Sequence, residues 1–297
     1  MSVLLFFIDG LGIGARGPFN PLDGLADASP LAHFHDEEQA IIHDGLLVPT
    51  DACLGVEGRP QSASGQTTIL TGVNAPARLG YHKQGFPNEA LREILGEHSI
   101  FLQLKRRGIG PNTFANAYTS RFFEGQPRWV SATTVAVQAA EERFRDMEDL
   151  RSGRAIFQDF TNGMLITRGD DVAPRTPEEA AVVLAGLVRE HRFTLYEYFI
   201  TDKMGHLQDM EGARLVLQNL ARLLRALLDQ LDLNRTTVIL TSDHGNIEDL
   251  STRSHTLNPV PTLVWGQHRA RVAQSIRTLA DITPSIVSIL ESKATTR

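Results

Sequence analysis

The chain has 297 residues, of which 42% are hydrophobic and 22% charged, as in an ordinary soluble protein with one large α/β domain or a core with a small insert. The formal net charge of -6 is spread along the chain without a basic stripe, so we expect no nucleic-acid partner. A single cysteine, Cys53, excludes an internal disulfide and favours a reducing compartment, and no apolar run reaches the roughly 20 residues of a membrane span. We therefore expect a cytoplasmic protein with no membrane partner.

The first part of the chain predicts two strands and two helices. Residues 3–8 form a continuous apolar run typical of a strand buried on both faces, and the run ends directly at Asp9 without a signal-peptide cleavage site. Residues 19–49 show no pattern from which we can predict a helix or a strand. The predicted elements are a strand over 3–8, a helix over 63–71 closed by Gly72, a helix over 88–107 and a strand over 113–118.

Residues 119–175 interrupt this alternation. They contain a predicted helix over 133–150 and a glycine-punctuated stretch, and they hold eight arginines but no lysine. We interpret this segment as a small inserted cap. The catalytic core would then consist of residues 1–118 and 176–297.

The alternation of helices and strands resumes at Thr176. This residue, Pro177 and Glu179 supply a helix N-cap, a proline at the first helical position and a capping-box glutamate. The helix that they start is followed by a strand over 193–201, a helix over 210–231, strands over 236–241 and 261–265, and a helix over 285–291.

This alternation predicts the α/β class, with a doubly wound, mostly parallel sheet covered by helices on both faces. Ligands of such sheets bind beyond the carboxyl ends of the strands. Asp9, Asp202 and Asp243 each lie at the end of a predicted strand. We therefore expect these three carboxylates to meet at one edge of the sheet.

Imidazole side chains accompany the later carboxylates. Asp202 and His206 are four residues apart, a spacing that on a helix places both on one face, although a helix cap beside a surface histidine has the same spacing. Asp243 and His244 are adjacent and diverge, which suits two neighbouring ions, but Asp-His-Gly turns also occur without metals. His255 lies in a loop before an apolar strand, where a lone histidine is usually solvated.

Ser62 lies in a hydroxyl-rich stretch at the start of the predicted helix 63–71. A serine hydroxyl needs a base or a metal to become a good nucleophile. At a helix N-terminus it also meets backbone N–H groups that attract phosphate. The alternative interpretation is a polar turn with a helix cap.

Unrelated caps and surface histidines are not expected to accumulate at the ends of several core strands. Hydrolytic and phosphoryl-transfer enzymes use such a set to hold two divalent cations about 3.5–4 Å apart. We therefore predict seven metal ligands: Asp9, Ser62, Asp202, His206, Asp243, His244 and His255.

These motifs together resemble the alkaline phosphatase superfamily, most closely its branch of cofactor-independent phosphoglycerate mutases and phosphopentomutases. The resemblance covers residues 1–118 and 176–297. The matching motifs are Asp9-Gly, the segment from Ser62 to Gly72, Asp202-x-x-x-His206, Ser-Asp243-His244-Gly-Asn and His255-Thr-Leu-Asn-Pro-Val-Pro.

The resemblance implies a catalytic serine, Ser62, between two ions of Zn or Mn. One ion would be held by Asp202, His206 and His255. The other would be held by Asp9, Asp243, His244 and the Ser62 oxygen. Ser62 would take up a phosphoryl group, which water or an acceptor alcohol would then remove.

The chain departs from this branch in two respects. Gln66 stands where the mutases usually have a histidine, and the insert is far smaller than their substrate-clamping domain, so specificity for phosphoglycerate is not carried over. A sulfatase is excluded because no Cys-x-Pro-x-Arg or Ser-x-Pro-x-Arg signature occurs.

We therefore expect an enzyme that hydrolyses a small phosphomonoester. One alternative is a phosphomutase acting on a sugar phosphate or a phosphoglycerate-like metabolite, and another is a metal-binding protein without catalysis. A mutase must exclude water with a lid that carries a second anion clamp. The candidate substrate-binding residues are Arg121, Arg128, Arg151 and Arg154, although arginines of this segment also have its nine acidic residues as partners.

Overall fold

The computed structural model describes residues 1–25, 30–35, 41–125 and 129–292. In this part of the chain a six-stranded sheet has the order β2-β6-β5-β1-β4-β3. The strands are β1 (Ser2–Ile8), β2 (Leu46–Thr50), β3 (Asn112–Phe114), β4 (Phe193–Tyr198), β5 (Thr236–Ser242) and β6 (Val260–Gly266).

The helices around the sheet alternate with the strands along most of the chain. Two short 3₁₀ helices cover Ile42–Asp44 and Leu279–Asp281. The α-helices are α1 (Ser62–Thr71), α2 (Ala75–Leu79), α3 (Glu89–His98), α4 (Ile100–Arg106), α5 (Ser120–Glu124), α6 (Ala132–Ala139), α7 (Met147–Arg151), α8 (Gly163–Thr167), α9 (Pro177–Glu190), α10 (Ile200–Leu207), α11 (Met210–Gln230), α12 (Arg269–Ser275) and α13 (Ile282–Glu291).

Four adjacent strands of the sheet, β3, β4, β1 and β5, run parallel. The edge is different, because β6 pairs antiparallel with β5 and β2 pairs antiparallel with β6. The predicted α/β class with a mostly parallel sheet is thus confirmed, and the two antiparallel pairings make the sheet mixed.

Alternate residues of β1 enter two different hydrophobic cores. Leu4 and Phe6 belong to the core that includes residues of α9 and α11, whereas Val3 and Leu5 belong to the core that includes α4, α6 and α13. Because successive side chains of a strand point to opposite faces, helices cover both faces of the sheet. This burial on both faces explains the continuous apolar run of β1.

Two predicted helices are each divided in the structure. The predicted helix 88–107 breaks at Ser99, whose hydroxyl accepts the Leu102 N–H at 3.3 Å and starts α4. The predicted helix 133–150 ends at Ala139, and α7 begins only after Asp146, which forms a capping box. In both cases a side-chain cap starts a new helix inside an otherwise helical pattern.

Two strands also differ from the prediction. The strand predicted over 193–201 ends at Tyr198, because α10 begins at Ile200. Strand β2 lies in the stretch 19–49 for which the sequence predicted no element. The capping box at the start of α9 is confirmed, since Thr176 and Glu179 each accept a hydrogen bond from the other's backbone N–H.

The inserted segment 119–175 is not uniform in its packing. Ala132 and Val137 of α6 are part of the same hydrophobic core as Val3 of β1. Helices α7 and α8 instead form a small separate cluster through Leu150 and Leu165. The boundaries of a cap domain stay a prediction.

Among the described residues, no helix combines the length and apolar character required to cross a bilayer.

Candidate metal centre and adjoining cavity

Three aspartates lie at the carboxyl ends of neighbouring parallel strands. Asp9 follows β1, Asp243 follows β5, and Asp202 lies in the first turn of α10, directly after β4. Strand β1 pairs with both β4 and β5, so the three strand ends share one edge of the sheet. The topology therefore brings together residues that are more than two hundred positions apart in the chain.

Asp9, Asp243 and His244 form the first group of potential ligands, with one donor atom of each within 4.8 Å of the others. His244 Nε2 lies 3.3 Å from Asp9 Oδ1 and 3.5 Å from Asp243 Oδ2. All three residues are buried. This group corresponds to one of the two predicted metal sites.

One donor atom each of Asp202, His244 and His255 also lies within 4.8 Å of the others. His206 adjoins this set, and we refer to Asp202, His206 and His255, the ligands predicted for the other ion, as the second group. His206 Nε2 lies 3.3 Å from Asp202 Oδ2, and His255 Nε2 lies 3.5 Å from Asp202 Oδ1 and 3.4 Å from His206 Nε2. The His255 ring stacks on the ring of His244 with centroids 3.6 Å apart, so the two groups adjoin. His206 is exposed and on the solvent side of the site.

Backbone carbonyl groups fix the orientation of the two histidines in the second group. The Nδ1 atom of His255 lies 2.9 Å from Pro60 O, and that of His206 lies 2.8 Å from Arg253 O. A carbonyl oxygen only accepts, so both Nδ1 atoms donate, which leaves the Nε2 atoms, next to Asp202, as the nitrogens that could bind a cation. This arrangement is common for histidines that bind metals.

Ser62 is the first residue of α1, which ends at Gly72 in the left-handed conformation. Its Oγ lies 2.9 Å from His244 Nε2, next to the first group of ligands. In the first turn of α1 the Ser64 N–H donates to Lys83 O at 3.2 Å. The N–H groups of Ser62 and Ala63 lie where a helix leaves such groups available to an anion and where its dipole favours negative charge. The predicted nucleophile therefore lies beside the predicted metal site, at an anion-binding helix end.

Gln66 lies one turn further along α1, and its side chain is buried between two carboxylates. Its amide nitrogen donates to Asp9 Oδ2 and to Asp243 Oδ2, both at 3.1 Å. A neutral amide thus connects the two acidic members of the first group, at the position where the resemblance leads one to expect a histidine.

Burial dominates the electrostatics of this centre. It raises the pKa of Asp9 well above its usual range, with Asp243 and then Asp202 as further causes, and it raises the pKa of Asp243, to which Asp202 also contributes. Burial likewise lowers the pKa of the His244 and His255 imidazoles. Nearby carboxylates that are buried together require compensating positive charge to stay ionised.

The donor set fits divalent cations. In the described residues, the ion-pair partner of Asp9 and Asp243 is His244, an imidazole whose lowered pKa makes it a poor source of positive charge. The Asp9 Oδ1 atom is buried without a hydrogen-bond partner. Carboxylate oxygens and imidazole nitrogens around such an atom form a suitable donor set for a metal ion.

Glu248, which the sequence did not indicate, holds the surrounding loops together. Its Oε2 accepts the N–H groups of Gly12 at 3.0 Å and Asn246 at 2.8 Å. Its Oε1 accepts from Thr256 Oγ1 at 2.5 Å and from Asn258 Nδ2 at 3.0 Å. The loops that carry Asp9, His244 and His255 are therefore tied to one buried carboxylate.

Two glycines make this arrangement possible. A Cβ added at Gly12 or at Gly245 would lie 2.2 Å from Glu248 Oε1, well inside van der Waals distance. Only glycine therefore allows both loops to approach the carboxylate so closely. Asn246 also contributes, because its amide donates to Asp202 Oδ1 at 2.6 Å.

A cavity of about 490 Å³ opens beside Ser62 and Asp9. Arg168, at the end of α8, lines it, as does Glu197 at the end of β4. Burial raises the pKa of Glu197 to about 7. Sequence reasoning did not single out either residue, because only the folded path of the insert brings Arg168 to the cavity.

The four arginines predicted to bind substrate have other positions. Arg151 donates from Nε to Asp171 O at 3.0 Å, and Arg154 lies 3.4 Å from Asp149 Oδ1. Arg121 is exposed on α5, and none of these three is among the described residues that line the cavity. Arg128 lies outside the described residues.

Comparisons with known proteins agree with this geometry. Residues 170–294, which contain five of the predicted ligands, match the Metalloenzyme superfamily. A phosphopentomutase of Alkaliphilus metalliredigens is 23% identical over 247 residues, which cover 78% of this chain and 60% of that protein. A 2,3-bisphosphoglycerate-independent phosphoglycerate mutase of Gloeothece citriformis is 34% identical over 115 residues, which cover 34% of this chain and 22% of that protein.

Solved structures show the same fold at low sequence identity. A protein of Pyrococcus horikoshii aligns with a TM-score of 0.55 and 12% identity, covering 98% of this chain and 97% of that one. A cold-active alkaline phosphatase from a psychrophilic Shewanella species aligns with a TM-score of 0.53 and 12% identity, covering 98% of this chain and 100% of that one.

The fold is that of the solved structures above, and the clustered side chains form two groups that could hold metal ions. Residues 170–294 are similar to the Metalloenzyme superfamily, and the chain is similar in sequence to phosphopentomutases and, over a shorter stretch, to 2,3-bisphosphoglycerate-independent phosphoglycerate mutases. It spans about three fifths of the length of the matching phosphopentomutase, at 60%, and only 22% of the matching phosphoglycerate mutase.

Proposed function

We propose that the chain is a two-metal phosphoryl-transfer enzyme that hydrolyses a small phosphomonoester with Ser62 as its nucleophile. The observation that carries this proposal is the position of Ser62 Oγ, 2.9 Å from His244 Nε2 and at the N-terminus of α1. That position supports the proposal because the hydroxyl adjoins the first group of potential ligands and stands at the start of a helix.

The two groups of ligands divide the proposed centre. Asp9, Asp243, His244 and Ser62 Oγ would hold one cation, and Asp202, His206 and His255 the other. Their mixture of nitrogen and oxygen donors suits Zn or Mn. When bound, two such cations lower the pKa of the serine hydroxyl and neutralise charge on the phosphoryl group.

The chain's own residues supply the remaining steps. Ser62 loses its proton to solvent, and its Oγ bonds to phosphorus while the bond from phosphorus to the ester oxygen breaks and that oxygen takes up a proton from solvent. The N–H groups of Ser62 and Ala63, at the start of α1, would bind the phosphoryl oxygens. The departing alcohol lies in the cavity that Ser62 shares with Arg168. Water then releases phosphate from the phosphoserine.

A phosphomutase is the second candidate, favoured by the names of the curated relatives. A mutase has to retain its phosphorylated intermediate and bind a second anion. Among the described lining residues of the cavity, Arg168 is the cationic one, while Asp9 and Glu197 are acidic. Since Asp9 belongs to the proposed metal centre, a second anion would have one cationic partner, Arg168, and an acidic neighbour, Glu197, which supports hydrolysis over mutase chemistry.

The two reactions are distinguished by their products. The chain loaded with Zn or Mn is incubated with a sugar phosphate, and both inorganic phosphate and isomeric sugar phosphates are measured. We expect phosphate to be released. Formation of an isomer without release of phosphate would support the mutase, and the absence of both products, with aryl phosphates also unreactive, would support a metal-binding protein without catalysis.

Substitution of the nucleophile tests the mechanism. We expect Ser62→Ala to lower kcat for an aryl phosphate by at least about a thousandfold, because the attacking oxygen is lost. The neighbouring variant Ser64→Ala is the control and should retain most of the activity, since the Ser64 hydroxyl bonds to Gln61 O and Lys83 N instead. Full activity of Ser62→Ala would contradict the assignment of the nucleophile.

A further inference from the structure

The cavity beside Ser62 is rich in aromatic side chains. Seven of its twenty described lining residues are aromatic, whereas aromatic residues make up 7% of the chain. The seven are Phe86, Phe114, Tyr118, Phe122, Trp129, Phe157 and Phe199. Aromatic side chains concentrated next to the proposed nucleophile affect which substrates can bind in the cavity.

One part of the wall is a packed group of rings. The ring centroid of Tyr118 lies 4.2 Å from that of Phe122 and 6.1 Å from that of Phe114. The Tyr118 hydroxyl is already paired with Thr134 Oγ1 at 2.7 Å. This part of the wall is therefore apolar in character, because its one hydroxyl is engaged with the protein.

Another part of the wall is exposed to solvent. Phe86 and Trp129 stack with centroids 6.0 Å apart and an interplanar angle of 24°, yet 46% of the surface of Phe86 and 58% of that of Trp129 remain accessible. Two large apolar side chains held together at the rim of a cavity lose contact with water when a flat apolar group covers them.

The cavity offers one cationic side chain, Arg168, to a second anionic group. Asp9 belongs to the proposed metal centre, so Glu197 is the acidic side chain that a second phosphate group would meet. The stacked rings of Phe86 and Trp129 offer few hydrogen bonds to the hydroxyls of a sugar. The cavity volume of about 490 Å³ is in the range of pockets that bind small molecules.

We propose that this cavity binds the alcohol part of the phosphomonoester and selects a flat, apolar group of aromatic size. This inference rests on the proposed function and adds a substrate class to it. The ring would pack against Phe86 and Trp129, with its ester oxygen directed to Ser62.

The test compares two esters whose leaving alcohols have similar reactivity. The metal-loaded protein is assayed with 2-phenylethyl phosphate and with ethyl phosphate, so that the phenyl ring is the main difference. We expect kcat/KM to be at least about tenfold higher for the phenylethyl ester, as burial of a ring predicts. In the double variant Phe86→Ala, Trp129→Ala this ratio should fall towards one.

The matched control is Phe19→Ala, since Phe19 is 56% exposed and is not among the lining residues. It should keep the wild-type ratio. A ratio near one in the wild type, or an unchanged ratio in the double variant, would overturn the aromatic selectivity and leave phosphatase activity established. Lack of turnover with both esters and with an aryl phosphate would instead overturn the proposed function.

Discussion

Gln66 shows how one residue shapes the centre. Its amide nitrogen donates to one oxygen each of Asp9 and Asp243, and both hydrogen bonds lower the pKa of the carboxyl that accepts them. The amide thereby favours the ionised form that a metal ion requires. It adds no positive charge of its own, unlike a protonated histidine.

We expect Gln66→Ala to weaken metal binding by about 10–100-fold, the usual effect of removing a group that supports a metal ligand. Protons then compete better for Asp9 and Asp243, because the two stabilising hydrogen bonds are gone. Competition with a chelator measures the affinity. Gln138→Ala, on the exposed side of α6, is the control, and equal metal affinities of the two variants would contradict the role of Gln66.

Glu197 is a second residue with a measurable electrostatic effect. It is buried opposite Phe7 of β1, and burial raises its pKa from 4.5 to about 7. A carboxyl whose pKa is higher in the folded state binds its proton more tightly there. The free energy of unfolding therefore falls as the pH rises from 4.5 through about 7, because the unfolded state loses this proton first.

We expect Glu197→Gln to stabilise the metal-free protein at neutral and higher pH. The gain in free energy of unfolding should be near zero at pH 4.5 and reach roughly 3 kcal/mol above pH 7. Urea unfolding at several pH values, with a chelator present, measures it. The control is Glu190→Gln at an exposed position, and parallel pH profiles of wild type and Glu197→Gln would exclude this effect.

Side chains that follow strands were predictable from the sequence, but those that line the cavity were not. Asp9 and Asp243 come directly after apolar runs, so the fold class alone assigned them to one edge of the sheet. Arg168 and Glu248 reach their positions through loops and short helices. No periodic pattern in the sequence predicts where these two residues lie in the folded chain.

At the scale of elements, the site is a set of loops tied to Glu248. The carboxylate accepts four hydrogen bonds, two from backbone N–H groups and two from side chains of the loop before β6. A glutamine at this position would present an amide N–H₂ group to donors. The loops that carry the ligands would then lose part of their common attachment.

We expect Glu248→Gln to lower the free energy of unfolding by about 2–5 kcal/mol, because buried donors lose their acceptor. Metal affinity should also fall, by about 10–100-fold, since the ligand loops are less well ordered. Thermal unfolding and chelator competition give the two values. Glu211→Gln, exposed in the first turn of α11, is the control, and wild-type metal affinity of Glu248→Gln would contradict the linking role.

Local signals predicted some element boundaries better than others. The capping box at Thr176 and the glycine after Thr71 mark helix ends that the structure confirms. The breaks at Ser99 and near Asp146 were not recognised, because the apolar pattern continues across them while a side chain caps a new helix. Strand β2 is an edge strand whose apolar run, from Leu46 to Val48, is only three residues long and ends at Pro49, so it was not recognised.

At the scale of the whole molecule, the sheet determines which distant residues of the chain come together. It brings β1, β4 and β5 side by side, so residues from both ends of the chain form one centre. The segment 119–175 supplies nine of the twenty described lining residues of the cavity, and its helix α6 is packed into the main core. We propose that this segment and Phe86 together determine which ester reaches Ser62, while the core supplies the phosphoryl-transfer chemistry.

Anomalous scattering from crystals of the Zn- or Mn-loaded protein tests the central claim most directly. We expect two peaks per chain, about 3.5–4 Å apart. One should lie among Asp9, Asp243, His244 and Ser62, and the other among Asp202, His206 and His255. A single peak, peaks at other residues, or none at saturating metal would contradict a two-metal centre beside Ser62.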